Sequence, residues 1–226
     1  MNKIEPSPIW FIVRPSPFGP FAVLWSGHGG QPSICQVLLP KPHLPAPQAV
    51  RETFPGIKSS TCSEITKVAE QIEAFLHGED IRISLEETRL DLCSTFQEQV
   101  LRAEHGIPRG FVSTYQRIAA HLGRPSSARA VGMALARNPF PIIIPCHRVI
   151  RTDGTLGGYQ GGLAMKRKLL EMEGITIDDS EHVTTARYLY LTVMNELIVH
   201  PQRFKSPPPP FAKEGRGDFH GKLSDS

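Results

Sequence analysis

The chain has 226 residues, enough for one large or two small domains with a real core, and its 40% hydrophobic and 21% charged content is ordinary for a globular protein. No apolar run approaches the ~20 residues of a membrane span and the N-terminus lacks the apolar stretch of a secretory signal, so an intracellular location is expected, cytoplasmic or, in a eukaryote, nuclear. The net charge of +3 is uneven: residues 94–174 hold eleven basic and five acidic side chains, a surplus of six that leaves the remainder at −3. Most of the eleven are arginines, which suit phosphate recognition, and a polyanion partner accounts for the segment about as well as a solvated basic surface does.

Short apolar segments at Ile9–Arg14, Phe21–Trp25 and Ile34–Leu39, punctuated by Pro and Gly, predict a small antiparallel meander. Residues 40–55 are proline-rich and read as irregular. Thr61-Cys62-Ser63-Glu64 offers a helix start, and Ile65, Val68, Ile72, Phe75 and Leu76 recur at helical spacing up to Gly78. Residues 81–85 read as a further strand. These elements form an expected α/β N-terminal domain over 1–89, with no catalytic constellation. His28, Cys35, His43 and Cys62 match no zinc-ligand spacing, and no metal is expected.

A mainly α-helical second domain is expected over 90–176. Ser94-Thr95-Phe96-Gln97 reads as a capping box, with Gln97 reaching back to the Ser94 amide. A helix, a tight turn at 123–127 and a second helix at about 128–137 follow, the geometry of a helix-turn-helix. Ala130, Val131, Ala134 and Leu135 are expected to face inward, and Gly132 and Ala136 to give a small-sided outer face around Arg129 and Met133. Taken alone, such a pattern is more often a plain helical hairpin. The apolar run Ile142–Ile150 reads as a buried strand that includes Pro145-Cys146-His147-Arg148. A glycine-rich loop at 157–162 lacks the spacing of a phosphate loop, and a helix at 163–172 ends at Glu173-Gly174. An extra amphipathic helix is expected over 177–204, its stripe comprising Val183, Ala186, Leu189, Tyr190, Val193, Met194, Leu197 and Ile198. A Pro-rich, disordered tail is expected over 205–226. The predicted fold is thus an α/β domain with a small antiparallel sheet plus helix, then a helical domain with a helix-turn-helix and a short active-site strand.

The four cysteines, Cys35, Cys62, Cys93 and Cys146, are widely spaced with no CxxC pair, which argues against a zinc ribbon or a disulfide framework. Cys146 stands apart because a thiol reacts as thiolate, and His147 and Arg148 are groups of the kind that lower a thiol pKa. A packed core cysteine is the equal alternative on local sequence.

Ser94 to Gly174 closely resembles the catalytic domain of the O6-alkylguanine-DNA alkyltransferases, also called methylated-DNA–protein-cysteine methyltransferases. The resemblance is carried, in order, by Thr95-Phe96-Gln97 with Val100, Tyr115-Gln116-Arg117-Ile118-Ala119, Ala128-Arg129-Ala130-Val131-Gly132, Asn138-Pro139, Ile144-Pro145-Cys146-His147-Arg148-Val149 and Gly158-Tyr159-Gln160-Gly161-Gly162-Leu163 with Lys166. It covers about a third of the chain. Phe111, Thr114 and Gln160 depart from the family's usual residues. The resemblance implies that Cys146 accepts the alkyl group and that His147 deprotonates it through a bridging water. Glu173 would orient the histidine, Tyr115 would donate a proton toward the leaving guanine, and Asn138 would link the recognition helix to the active-site strand. It further implies DNA contact by Arg129, Ala128, Gly132, Thr114 and Arg137, with Arg129 replacing a base flipped from the minor groove. Tyr159, Gln160, Pro141 and Arg148 are expected in the substrate pocket. One turnover per molecule, no cofactor, a monomer and a duplex partner containing O6-alkylguanine follow. The alternatives are a module that recognises alkylated DNA without catalysis and a helix-turn-helix regulator.

Overall fold

In the computed structural model, which describes residues 9–28, 30–41 and 43–190, the N-terminal segment folds as a four-stranded sheet of order β3-β2-β1-β4. β1 (Ile9–Arg14), β2 (Phe21–His28) and β3 (Gln31–Leu38) form the expected antiparallel meander, and the short β4 (Lys58–Ser59) adds parallel to β1. Side chains alternate between the two faces of β2. Phe21, Val23 and Trp25 join the main core beneath α2 (Ser63–Leu76), while Ala22 and Leu24 pack on the other face with α1 (Ala46–Thr53). That helix corrects the expectation of irregular backbone over 40–55. Proline is tolerated in a first helical turn, and Ala46 and Val50, four residues apart, bury on one side. The strand expected over 81–85 is not formed; Ile83 is buried, and its carbonyl meets His105 Nε2 at 2.8 Å.

α3 (Thr95–His105) starts as predicted at Ser94, whose Oγ accepts from the Gln97 amide at 3.3 Å. The reciprocal half of the capping box is not made. Gln97 Nε2 donates instead to the carbonyls of Ala134 at 3.3 Å and Arg137 at 3.0 Å, the orphan acceptors at the end of another helix. That helix is α5 (Ala128–Ala136), which with α4 (Tyr115–His121) completes the helix-turn-helix. Val131, Ala134 and Leu135 are buried as expected. Ala130 is exposed, because the packed face of α5 runs through Ala128, Val131, Ala134 and Leu135 and leaves Ala130 to one side.

The stretch 142–150 is not one strand. Ile142 adopts φ 74°, Asn138 and Phe140 close a turn around it, a single 3₁₀ turn spans Cys146–Arg148, and only Val149–Ile150 (β6) is extended, parallel to β5 (Ser113–Thr114). Every residue from 141 to 150 is buried. The unbroken apolar pattern therefore reported burial rather than extended backbone. A β-branched residue at positive φ costs on the order of 1–3 kcal/mol, and surrounding packing must hold it.

After α6 (Leu163–Met172), residues 175–190 run as a non-helical strap. Ile177 bridges Val183, Thr155 bridges His182, and Val112 bridges Tyr188; Tyr190 Oη donates to the Ala103 carbonyl at 2.6 Å. The helix expected over 177–204 is thus absent through residue 190: Val183, Tyr188 and Leu189 each find separate core partners along the strap. Residues 191–204 and the tail 205–226 lie outside the described residues. One apolar cluster runs across the expected boundary at residue 89, joining Ile65, Phe75 and Leu76 to Val100, Leu101, Phe140 and Ile144. Among the described residues no helix is long and apolar enough to cross a membrane.

Gln97→Ala strips two donors from the end of α5. Thermal melting should show a loss of about 1–2 kcal/mol. An unchanged midpoint would mean that water caps α5 equally well.

Candidate active site

The fixed point of the site is a carboxylate. Glu173, at the end of α6, accepts from His147 Nε2 at 2.9 Å and from Arg148 Nε and a terminal guanidinium nitrogen at 2.7–3.1 Å. Arg148 also donates to the Ile107 carbonyl at 2.6 Å. All three side chains are buried. Burial alone would raise the Glu173 carboxyl, but electrostatic attraction to the His147 ring and its hydrogen bond, then the hydrogen bonds and charge of Arg148, hold it down at about 2. An ionised carboxylate only accepts, so Nε2 of His147 must carry the proton and Nδ1 the lone pair. Nδ1 has no hydrogen-bond partner among the described residues, and burial pushes the imidazole below its ordinary pKa, with Glu173 opposing. His147 is therefore a neutral base with one free acceptor.

Cys146 begins the same 3₁₀ turn and is 7% exposed. Its thiol is not lowered by His147 and Arg148, as their adjacency suggested. Burial pushes it up to about 12, the Glu104 charge adds to this, and an Asn138 hydrogen bond and the Lys166 charge oppose it. The reason is geometric: Arg148 and the imidazole Nε2 are both spent on Glu173. Asn138 braces the turn, its Nδ2 donating to the Ile144 carbonyl at 3.2 Å and its Oδ1 accepting from the Phe140 amide at 2.9 Å. Since Asn138 follows α5, it connects that helix to the cysteine turn.

Tyr115 opens α4 half-buried, and burial raises its phenol, with the Glu104 and Cys146 charges adding. Gly157, at φ 67°, lies so close to this hydroxyl that a Cβ there would sit 3.0 Å from the oxygen. Tyr159 stands edge-on to His147, with ring centroids 6.2 Å apart, and its buried hydroxyl is unpartnered. Gln160 donates to the Asn138 carbonyl at 2.6 Å, Pro141 is buried, and Arg148 serves Glu173 rather than a pocket wall. On the DNA-facing set, Arg129 and Arg137 are exposed and Ala128 is half-buried. Gly132 faces the Tyr115 ring rather than outward, and Thr114 is buried, its hydroxyl accepting from the Arg117 amide as the cap of α4.

The sequence reading missed two groups. Lys166 was noted only as part of a motif, yet its buried ammonium donates to the carbonyls of Val149 at 2.6 Å and of Leu156. Glu104 enters only as one of the five acidic residues of 94–174. The signal was present, for a carboxylate four residues after Val100 falls on the apolar side of α3. Two surface hollows, lined by residues between Arg82 and His105 and between Ile9 and Lys58, include none of the residues around Cys146.

A thiol beside a neutral, carboxylate-oriented imidazole, behind a helix-turn-helix, defines a protein that accepts a group on cysteine. Residues 95–175 match the family model described as "6-O-methylguanine DNA methyltransferase, DNA binding domain". A methylated-DNA–protein-cysteine methyltransferase of Mycobacterium leprae is 41% identical over 162 residues, covering 70% of this chain and 88% of that protein. One from Methanothermobacter thermautotrophicus is 45% identical over 120 residues, 53% of this chain and 67% of the relative. The crystal structure of Mycobacterium tuberculosis O6-methylguanine methyltransferase superposes with a TM-score of 0.58 at 32% identity, covering 73% of this chain and 92% of that one. The same organism's OGT in complex with DNA gives 0.56 at 33%, covering 72% and 91%. This chain belongs to the methylated-DNA–protein-cysteine methyltransferase family.

Glu173→Gln should be costly. It leaves the Arg148 guanidinium buried without a counterion, a loss of about 3–5 kcal/mol. The pH dependence follows in sign. Because the folded Glu173 pKa lies below its unfolded value, its stabilisation is present above about pH 4.5 and is lost as pH falls toward about 2. His147, depressed by burial, also disfavours folding as pH drops. Chemical denaturation from pH 7 to 3 should show the wild type losing stability more steeply than Glu173→Gln; parallel curves would contradict this assignment.

Proposed function

We propose that this chain repairs DNA by direct reversal, moving the alkyl group of an O6-alkylguanine in duplex DNA to Cys146, once per molecule and without a cofactor. The observation that carries the reading is the neutral His147 imidazole, anchored through Nε2 on a buried carboxylate beside Cys146, in a chain of this family.

The chemistry runs through the chain's own residues. His147 Nδ1 takes the thiol proton through a bridging water as sulfur attacks the alkyl carbon opposite the C–O bond. The electron pair of that bond leaves on the guanine oxygen, and Tyr115 gives the departing base a proton; solvent then carries the His147 proton back to Tyr115. A thioether offers no leaving group for reversal, so the protein is consumed. Since the thiol rests protonated, proton removal and attack must be closely linked.

The target carbon is out of reach in stacked DNA, so the nucleotide must be extruded. The exposed first turn of α5 supports this role, with Arg129 filling the vacated stack and Arg137 and the neighbouring backbone at Ala128 meeting phosphate. Gly132 acts indirectly by seating Tyr115, and Thr114 by starting α4. Because Cys146 is 7% exposed, base entry requires the 156–162 loop, with Tyr159 and Gln160, to give way. The protein acts as a monomer. A recognition module without catalysis is not favoured, for it has no use for a braced thiol and base.

Incubation with O6-methylguanine duplex followed by peptide mass spectrometry should add one CH2 unit to the Cys146 peptide, with none in Cys146→Ala. An unmodified wild-type Cys146 would reject the repair reading. Arg129→Ala should slow the transfer without altering the melting temperature.

A further inference from the structure

Among the described residues, Glu104 is the one buried carboxylate that the mechanism above does not use. It is 0% exposed on the inner side of α3, and neither carboxyl oxygen has a hydrogen-bond partner among the described residues. Buried carboxylates are ordinarily paired or hydrogen-bonded, so an orphan in the core calls for a role. Its surroundings are specific. Its charge acts on Cys146 and Arg148 in the 3₁₀ turn, on Lys166 of α6, on Tyr115 of α4, on Tyr159 of the glycine-rich loop and on Tyr190 of the strap. Two of the other unpartnered buried atoms, His147 Nδ1 and Tyr159 Oη, belong to the same group around the thiol.

Positive charge there is scarce. Arg148 is committed to Glu173 through three hydrogen bonds. Arg151 bears on Lys166 and Tyr115 but is exposed. The buried cation that remains is Lys166, whose ammonium is fixed on backbone carbonyls and has no carboxylate contact among the described residues. Two acidic groups, the Cys146 thiol and the Glu104 carboxyl, therefore share the Lys166 charge, while Arg148 reaches Glu104 across its own pair with Glu173.

We propose that Glu104 is a positioning residue that restrains Cys146: carboxylate and thiolate compete for the Lys166 charge, so the thiolate forms readily only while Glu104 holds its proton. This rests on Cys146 being the acceptor thiol, but not on the identity of the alkyl donor. Burial raises the Glu104 carboxyl to about 8, with the Lys166 and Arg148 charges opposing, so Glu104 is largely neutral near pH 7 and ionises above it. Lys166, lowered by burial to about 8, begins to lose its own charge over the same range. An ordinary thiol becomes steadily more reactive as pH rises. Cys146 instead meets a new negative charge and a weakening cation, and its gain with pH is blunted.

The test is the rate at which iodoacetamide labels the Cys146 peptide between pH 6 and 9.5, measured in the full chain as wild type, Glu104→Gln and Glu104→Leu. The three should coincide below about pH 6.5, where Glu104 is protonated in the wild type. Above pH 8 both variants should be faster, by about tenfold if one pKa unit of restraint is released. Stability supplies a second readout. The folded Glu104 pKa lies above its unfolded value, so wild-type stability falls as pH rises from about 4.5 through about 8. Glu104→Leu should therefore melt higher than wild type, with a margin that grows between pH 5 and 8.

Superimposed labelling profiles, an unlabelled Cys146 in all three proteins, or a Glu104→Leu variant that melts lower at pH 8 would each overturn the inference. If alkylated DNA leaves Cys146 unmodified while the iodoacetamide profiles still diverge, the repair reading falls and the restraint stands.

Discussion

The site depends on one carboxylate held between two donors. Glu173 would not stay ionised in the core by itself, and Arg148 would not stay buried without it. Joined, they make a fixed acceptor, and that acceptor sets which nitrogen of His147 bears the proton. The free Nδ1 lone pair is thus a consequence of where α6 ends. Because Arg148 also reaches the Ile107 carbonyl beyond α3, the same network ties the cysteine turn to the helix behind it. The oriented base that the proposed reaction needs and the counterion that folding needs are supplied by the same three side chains.

Around that centre the packing is tight and the charges are few. The turn at Cys146 is braced by Asn138, and burial with the Glu104 charge is why its thiol rests protonated. Reactivity must then come from geometry and from a base kept neutral, rather than from a standing thiolate. Glu104 adds a second acidic group beside the Lys166 charge on which Cys146 depends. The unusual element of this chain is that an unpaired carboxylate persists where an apolar side chain would cost less.

Much of this was legible beforehand. The antiparallel meander, α2, the helix-turn-helix and α6 follow from periodicity and from their Ser, Gly and Pro boundaries, and the family resemblance pointed to Cys146, His147, Glu173, Tyr115 and Asn138 as candidates. The failures share a cause. Periodicity reports which face is buried, not which backbone path buries it. Ile142 to Ile150 looked like a strand because apolar residues flank Cys146-His147-Arg148 on both sides, yet the chain turns at Ile142 and coils at Cys146. Val183 to Tyr190 looked like one helical stripe, yet Val183, Tyr188, Leu189 and Tyr190 pack at different points along a strap and Ala186 is exposed. Side-chain partners were the least readable. Gln97 suited a capping box with Ser94 but is claimed by carbonyls at the end of α5. Arg148 looked like a cation for Cys146 but belongs to Glu173. Neither contact, each spanning at least 25 residues, leaves a local mark in the sequence.

The most direct test of this account is the protonation of the His147 ring in the free protein, read by nitrogen-15 NMR near pH 7. A neutral ring protonated at Nε2, with an unprotonated Nδ1, is the predicted result. An imidazolium, or a neutral ring protonated at Nδ1, would contradict it, because the base beside Cys146 would then have no lone pair to offer.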